Sequence, residues 1–409
     1  MKSQKILNDP VYGFITIPSE LIFSIIEHPY FQRLRRIRQL GLTDMVYPGA
    51  LHTRFHHAIG AMHLMGIALS NLRGKGHKIN AEEYEATLIA ILLHDIGHGP
   101  FSHALEFTLL NDVNHEFLSE QLQHRLNDEF DGKLSLAIKI FSNQYERKFF
   151  HQLVSSQLDI DRLDYLQRDS FFTGVSEGTI GADRIIKMLD IVDDQIVVEE
   201  KGIYSIENFL SARRLMYWQV YLHKTTVSAE KMIIQLITRA KQLTESDEKL
   251  FATPAFNKFL SGNYTREDFI KDPNVLDTFA ALDDYDIWAS IKIWQEHPDL
   301  ILSNISKMLL ARKLFKIQIS SEPFTQDELD KLAAKTRKKL GISQQELLYF
   351  MISGSMSNAA YLHNENSINI LTKKGKVIEV GEASDLPNIK AMSKIVKKYY
   401  VCWAKNLIL

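Results

Sequence analysis

Leu92-Leu93-His94-Asp95-Ile96-Gly97-His98-Gly99-Pro100-Phe101-Ser102-His103 is the stretch from which the fold and chemistry of this chain are predicted. Three histidines and one aspartate fall within ten positions, directly after the apolar run 88–93. Imidazole and carboxylate groups hold hard or borderline divalent ions, and the apolar run predicts a buried helix that carries them. A buried helix whose histidines hydrogen-bond locally is the alternative. Because burying so many titratable groups without a task is costly, we predict a metal site.

The composition is that of an ordinary soluble protein. A chain of 409 residues, 45% hydrophobic and 24% charged, can form one large and one smaller domain. The net charge of −2 gives no basic footprint for nucleic acid, which we do not expect as a partner. The single cysteine, Cys402, excludes a disulfide framework and fits a reducing compartment. Without a signal peptide or an apolar run near ~18 residues, we expect a cytoplasmic protein that binds no membrane.

Helical periodicity predicts a mainly α fold. Eleven of the 15 histidines lie within residues 52–151, where we expect the chemistry. A long helix is predicted over 207–243, and a small β-hairpin insert over 194–206, turning at Lys201-Gly202. A strand pair is predicted over 365–382. Because the composition changes after Ile317, we divide the chain into residues 1–320 and a small C-terminal α+β region, 321–409, that would support oligomerisation.

His57, the pair His94-Asp95 and Asp161 each lie on a predicted helix or at its end. Metal sites in helical bundles are built from such inward side chains on different helices. Two histidines and two aspartates leave room for water in six-coordinate geometry and suit Mn, Fe, Mg, Zn or Co alike. A bound ion lowers the pKa of water from ~15.7 towards ~7, which makes it a nucleophile.

The segment 31–38 carries Arg33, Arg35, Arg36 and Arg38. Guanidinium groups match phosphate oxygens well, so this segment is a candidate phosphate-binding surface. A solvated helix face is the alternative.

The pattern H…HD…D resembles the signature of the HD-domain metal-dependent phosphohydrolases. The chain is more closely similar to the deoxynucleoside triphosphate triphosphohydrolases, the bacterial dNTPases and the animal enzyme that joins a SAM domain to an HD domain. The resemblance implies an HD-domain helical bundle that hydrolyses dNTP to deoxynucleoside and inorganic tripolyphosphate. The matching stretches, within residues 4–320, are NDPVYGFI, PYFQRLRRIRQLG, YPGALHTRFHHAIG, LLHDIGHGPFSH, NHE, DIDRLDYLQRD and YLHK.

The resemblance also implies roles for individual residues. It assigns the metal to His57, His94, Asp95 and Asp161. It implies that His98, His103 and His115 line the scissile phosphate. Glu106 lies where the animal enzyme has an Asp that orients a catalytic histidine. The side chains that it implies for the substrate are Gln39, Leu40, Arg54, Arg162, Tyr165, Asp169, Arg213, Tyr217 and Tyr221.

Some of these roles have simpler alternatives. Arg54 and Arg162 would clamp the triphosphate, but Arg162 could instead form an ion pair with Asp159. Tyr221 would pack beneath the sugar and exclude a ribose 2′-hydroxyl, although a plain core aromatic is an equal alternative for it and for Tyr165.

The family further implies a second nucleotide site, where dGTP or GTP activates tetrameric members from between subunits. We therefore expect a homo-oligomer, either tetramer or dimer. The residues that match this site are Lys5, Asn8, Glu27, Gln32 and Arg35. Arg184 and Arg312 would add further phosphate contacts.

Two other classes of function stay open. One is an HD nucleotidase or phosphodiesterase that acts on nucleoside monophosphates or cyclic dinucleotides. Arg54, Arg162 and Arg213 favour a triphosphate, because a monophosphate needs fewer cations. The other is a nucleotide sensor or nucleic-acid binder without catalysis, against which the complete ligand set argues.

Overall fold

The computed structural model describes residues 5–110, 112–358, 367–386 and 395–408, apart from the side chains of His103 and Phe107. It confirms a mainly helical fold. The first helices are α1 Glu20–Glu27, α2 Pro29–Gln32, α3 Arg54–Gly74, α4 Ala81–Leu93, α5 Glu106–Leu109, α6 His115–Glu129, α7 Ser135–Phe141, α8 Lys148–Val154, α9 Ile160–Thr173 and α10 Ala182–Met188. The next are α11 Ile203–Met216, α12 Lys224–Glu245, α13 Pro254–Ser261, α14 Arg266–Lys271, α15 Pro273–Ala280, α16 Asp284–Trp294, α17 Leu300–Leu310, α18 Gln326–Leu340, α19 Gln344–Phe350 and α20 Val380–Ala383.

Helices α3, α4 and α9 form the centre of the bundle. Helix α3 packs against both α4 and α9, and α4 packs against α7. A capping box between Asn80 and Glu83 starts α4, because each side chain accepts a hydrogen bond from the other's backbone N–H. Asp159 caps the start of α9, because its side chain accepts a hydrogen bond from the backbone N–H of Arg162. These caps fix the residues at which α4 and α9 begin, and so fix which side chains of the two helices face α3.

The prediction of one long helix over 207–243 was wrong. Helix α11 ends at Met216, and a π-helical turn follows over Tyr217–Tyr221 before α12 begins at Lys224. The Leu222 N–H donates to the Tyr217 carbonyl across 2.7 Å, one residue further along than in an α-helix. Hydrophobic periodicity in a sequence does not reveal one residue inserted into a helix. Such π-helical turns are frequent at functional sites.

The β-structure comprises short strands at the edges of the helical bundle. They are β1 Ile6–Asp9, β2 Gly13–Thr16, β3 Leu189–Val192, β4 Gln195–Glu199, β5 Lys316–Ser320, β6 Met351–Asn358, β7 Asn369–Leu371, β8 Val377–Glu379 and β9 Val396–Trp403.

The predicted hairpin insert is present, but its turn was wrongly placed. Strands β3 and β4 turn at Asp193 and Asp194, with φ of 49° and 59°, whereas Lys201 lies in a short 3₁₀ turn. Aspartate tolerates this left-handed conformation, which a two-residue hairpin requires. The strand pair predicted over 365–382 is confirmed as β7 and β8, which lie on either side of Lys374-Gly375.

Strands from both sides of the predicted 320/321 division share a sheet. Strand β9 pairs antiparallel with both β5 and β6, and β7 pairs in parallel with β4 of the hairpin. The division at 320/321 falls at the end of β5 and stays a prediction. Within the described ranges, no helix combines the length and apolar character that crossing a membrane would require.

Candidate active site

Three helices bring His57, His94 and Asp161 together. His57 lies on α3, His94 directly follows α4, and Asp161 is in the first turn of α9. Oδ1 of Asp161 lies 3.0 Å from Nε2 of His57 and 3.4 Å from Nε2 of His94. The two Nε2 atoms are themselves 3.4 Å apart. Side chains that are distant in sequence thus converge on one point.

The partners of the other ring nitrogens show that this group fits a metal ion. Nδ1 of His94 lies 2.6 Å from the Ile91 carbonyl, to which it must donate. Nδ1 of His57 lies 2.7 Å from Oδ2 of Asp164. In the neutral rings, both Nε2 lone pairs therefore face Asp161. Metal-ligating histidines are commonly oriented in this way, by an acceptor that binds the other ring nitrogen. The ligand types and ring orientations fit a divalent ion.

The electric field at this point favours positive charge. Burial opposes a charge on His57, but the hydrogen bonds with Asp161 and Asp164 raise its pKa to about 10. Burial likewise opposes ionisation of Asp161, yet His94 and His57 hold its pKa well below the ordinary value. Carboxylates therefore dominate the site, as they must if a cation is to bind.

Asp95 joins the metal group to an arginine. Its Oδ2 lies 3.8 Å from Nε2 of His57 and forms an ion pair with Nη1 of Arg54. The rest of the Arg54 guanidinium donates to Oγ of Ser102, from Nε across 3.0 Å and from Nη2 across 2.7 Å. Arg54 is thus held next to the ligands, in the position that a phosphate-binding cation needs.

A second group comprises Asp95, His98 and His115. The rings of His98 and His115 have centroids 3.9 Å apart. Oε1 of Glu106 accepts hydrogen bonds from the backbone N–H of His115 across 2.6 Å and from its Nδ1 across 2.8 Å. Glu106 therefore orients His115, as the family resemblance implies. The predicted role of the His103 side chain lies outside the described residues.

A cavity of about 450 Å³ opens beside these groups. Its volume is within the range of small-molecule sites. Most of the side chains predicted for metal, catalysis and substrate line it together. They are Gln39, Leu40, Arg54, Asp95, His98, His115, Asp161, Arg162, Tyr165, Asp169, Tyr217 and Tyr221.

The two remaining arginines differ in their positions. Arg162 lines the cavity and also forms an ion pair with Asp159, so the two interpretations from sequence are compatible. Arg213 is buried beside the cavity, and its Nη1 donates to Oε1 of Gln157 across 3.1 Å. Nε of Arg213 has no hydrogen-bond partner among the described residues, so the guanidinium keeps a donor for a ligand.

Three tyrosines and an aspartate line one wall of the cavity. The Tyr221 ring packs edge-on against Tyr165 and Tyr217, with centroids 6.1 Å and 5.2 Å away. Burial raises the pKa of Tyr165 and of Tyr221, so both hydroxyls stay protonated. An aromatic wall of this kind suits the flat faces of a sugar and a base.

Several residues of the site were missed from sequence. Nε2 of His52 forms a hydrogen bond with Oδ1 of Asp169, 2.7 Å away. Asp164 supports His57 and is held by Arg168, whose Nε donates across 2.9 Å. Asp161, Asp164 and Arg168 follow one another at helical spacing on α9, which is a signal that could have shown one functional face. Glu230 also lines the cavity, and no motif marks it.

The residues predicted for a second nucleotide site are only partly assembled. Gln32 accepts a hydrogen bond from Nε of Arg35 across 2.9 Å, and the Arg35 guanidinium stacks 3.5 Å from the centre of the Phe55 ring. Lys5 lies over Phe23. Asn8 is in β1 and Glu27 ends α1. Arg184 and Arg312 donate instead to the carbonyls of Lys201 and Met45.

Comparison with known proteins agrees with this geometry. The HD domain matches residues 54–169, and the HD associated region matches residues 180–253. The chain is 32% identical over 424 residues to the uncharacterized protein YwfO of Bacillus subtilis, covering 100% of this chain and 94% of that protein. It is also 32% identical over 294 residues to the deoxynucleoside triphosphate triphosphohydrolase SAMHD1 homolog of Dictyostelium discoideum, covering 67% of this chain and 57% of that protein.

The fold has a solved counterpart. A phosphohydrolase from Bacteroides thetaiotaomicron superimposes with a TM-score of 0.94 at 51% identity, covering 98% of this chain and 100% of that one. The helical bundle and these matches define a phosphohydrolase of the HD type, whose His–Asp groups could hold a metal ion. The chain belongs to the HD-domain phosphohydrolase family and is close to the dNTPases within it.

Proposed function

We propose that this protein is a metal-dependent dNTP triphosphohydrolase that converts dNTP to deoxynucleoside and inorganic tripolyphosphate. The observation that carries the proposal is the single cavity that joins the metal-ligand group, two arginines and an aromatic wall. A triphosphate needs several cations, and a nucleoside needs flat apolar faces. The cavity offers both together.

The metal would be held by His57, His94, Asp95 and Asp161. When bound, a divalent ion would activate water as a nucleophile and withdraw charge from the phosphate. Arg54 and Arg162 would bind the phosphate oxygens through fixed guanidinium donors. Their existing ion pairs with Asp95 and Asp159 keep both arginines oriented towards the cavity.

Attack of water on the α-phosphorus breaks the bond to the 5′-oxygen, and that oxygen must gain a proton as it leaves. His115 is suited to donate it, because Glu106 accepts from Nδ1 and so fixes the ring. At the other end of the cavity, Gln39 and Leu40 would contact the nucleoside. Tyr221 would lie against the sugar, where its ring leaves no room for a 2′-hydroxyl.

The proposal includes activation by dGTP or GTP at a second site in a homo-oligomer, either tetramer or dimer. Its support is the contact between Gln32 and Arg35, together with the Lys5 cation, which lies over the Phe23 ring of helix α1. Arg184 and Arg312 would have to join this group from elsewhere.

The test is to incubate protein loaded with each metal in turn, Mn, Fe, Mg, Zn or Co, with each dNTP and to identify the phosphate product. We expect tripolyphosphate and deoxynucleoside in equal amounts. Assays with pairs of nucleotides test activation, since synergy in a mixture reports the second site. Release of only mono- or diphosphate under all conditions would overturn the cleavage position. Faster turnover of nucleoside monophosphates or cyclic dinucleotides would favour the alternative activity.

A further inference from the structure

Two loops that are far apart in sequence form one side of the cavity. The first, residues 37–41, contributes Gln39, Leu40 and Gly41. The second, residues 97–102, contributes His98, Phe101 and Ser102. The first would contact the nucleoside, and the second carries the groups around the scissile phosphate. The distance between them therefore sets how a substrate spans the site.

One buried carboxylate binds both loops. Asp284, the first residue of α16, is only 2% exposed. Its Oδ2 accepts the backbone N–H of Arg38 across 2.9 Å, and its Oδ1 accepts the backbone N–H of Phe101 across 2.9 Å. Burial raises the pKa of Asp284 to about 6, so it is ionised at neutral pH and both oxygens accept.

The second loop needs such an anchor, because its backbone is strained. Phe101 and Ser102 both have positive φ, of 54° and 51°. Residues other than glycine rarely adopt this left-handed conformation, because their Cβ is crowded there. Helix α16 holds this conformation at two points: Asp284 binds the Phe101 N–H, and Trp288, one turn on, packs against the Phe101 ring at 5.7 Å.

The strained conformation has a consequence for the arginine clamp. Ser102, next to Phe101, accepts the hydrogen bonds from Nε and Nη2 of Arg54. A shift of the second loop would therefore move the Arg54 guanidinium, while a shift of the first would move Gln39.

We propose that Asp284 is a positioning residue that fixes the spacing between the nucleoside-binding and phosphate-binding sides of the cavity by holding the two loops together. The proposal rests on the proposed function. It concerns a residue outside the segments that match the HD domain and the HD associated region.

Asp284→Asn tests the proposal, because it keeps the shape of the side chain but turns one acceptor into a donor. That donor would face a backbone N–H and repel it. We expect kcat/KM for dNTP to fall about tenfold, mainly through a higher KM, while metal content stays at the wild-type level. Amide hydrogen exchange should become faster in both loops together.

The matched control is Asp299→Asn. Asp299 also begins a helix, accepts the Leu302 N–H across 2.8 Å and binds Arg239, but it does not line the cavity. Its substitution should lower the unfolding midpoint and leave KM unchanged. If Asp284→Asn lowers stability to the same degree without changing KM or exchange in the loops, its role is only structural and the proposal is wrong.

The experiment separates two kinds of failure. If the wild-type protein hydrolyses no dNTP, the proposed function fails, and hydrogen exchange still decides whether Asp284 holds both loops. Unchanged exchange in either loop of Asp284→Asn overturns the proposal on its own.

Discussion

The hydroxyl of Tyr221 donates to Oδ2 of Asp169 across 2.8 Å. The other oxygen of Asp169 is held by buried His52, whose Nε2 lies 2.7 Å away. The Tyr221 ring is thus fixed in the cavity wall by a chain that reaches into the core. A rigid ring can exclude a group by its shape, whereas a mobile ring would move aside.

Tyr221→Ala should therefore weaken the preference for dNTP over rNTP, at least about tenfold in the ratio of kcat/KM values. Tyr221→Phe is the matched control, because it removes the hydrogen bond and keeps the ring. Competition assays with each dNTP and its ribose counterpart measure the ratio. Tyr221→Phe should lose less of the preference than Tyr221→Ala, since the ring remains although its hydrogen bond to Asp169 is gone. An unchanged preference in Tyr221→Ala would show that the ring does not exclude ribose.

Asp161→Ala should abolish metal retention and turnover together. Asp161 is the carboxylate that faces both Nε2 atoms, and without it the two histidines would have to hold the ion with Asp95 alone. Elemental analysis of the purified protein and the tripolyphosphate assay give the two readings. Asp128→Ala, at an exposed position of α6, is the control. Full activity in Asp161→Ala would contradict the ligand assignment.

Glu106→Gln should lower kcat by about 10- to 100-fold without loss of metal. The substitution replaces the carboxylate that accepts from Nδ1 of His115 with a neutral amide, which holds the ring less firmly for proton donation to the leaving oxygen. Glu116→Gln, one residue from His115 but exposed, controls for a general effect of charge. A kcat within twofold of wild type would remove Glu106 and His115 from the proposed proton transfer.

Sequence reasoning reached the residues whose chemistry is local and recognisable. His94 and Asp95 are adjacent, and Asp161 occurs in a motif, so their role could be predicted. Asp284 and Glu230 could not be, since each is a single acid on a helix that reaches the cavity only through tertiary packing. The π-helical turn at Tyr217 was missed for a different reason: it results from one extra residue in a helical pattern, which periodicity does not resolve.

Substitution of Glu230 should change substrate affinity in a manner that depends on pH. Burial raises the pKa of this cavity-lining carboxyl to about 7. Because the pKa is raised, the side chain is neutral below pH 7 and negative above it, where it would repel a triphosphate. Glu230→Gln should therefore lower KM about threefold at pH 8, and should match wild type at pH 6. Steady-state kinetics at both pH values test this.

The control for Glu230 is Glu245→Gln, an exposed position at the end of the same helix, α12. Its KM should equal that of wild type at both pH values. A KM for Glu230→Gln that differs from wild type by the same factor at pH 6 and pH 8 would exclude titration as the cause.

Two glycines of α3 give a matched test of how the metal site is supported. A Cβ at Gly60 would overlap Nη2 of Arg168 and Oδ1 of Asp164. Arg168 is buried between Asp9 and Asp164, and Asp164 in turn holds Nδ1 of His57. Gly60→Ala should displace this network, lower the free energy of unfolding by about 3–5 kcal/mol and weaken metal binding about 10- to 100-fold.

At Gly66, six residues further along α3, the same substitution meets only ordinary contacts, with the nearest atom of Tyr84 at 3.4 Å. Gly66→Ala should therefore be neutral or raise stability by about 0.5–1 kcal/mol, the usual gain from alanine within a helix. Denaturant unfolding and metal titration of both variants make the comparison. If Gly60→Ala behaves like Gly66→Ala, the buried Arg168 network is not what holds His57 in place, and the orientation of its ring must depend on Asp161 and the metal alone.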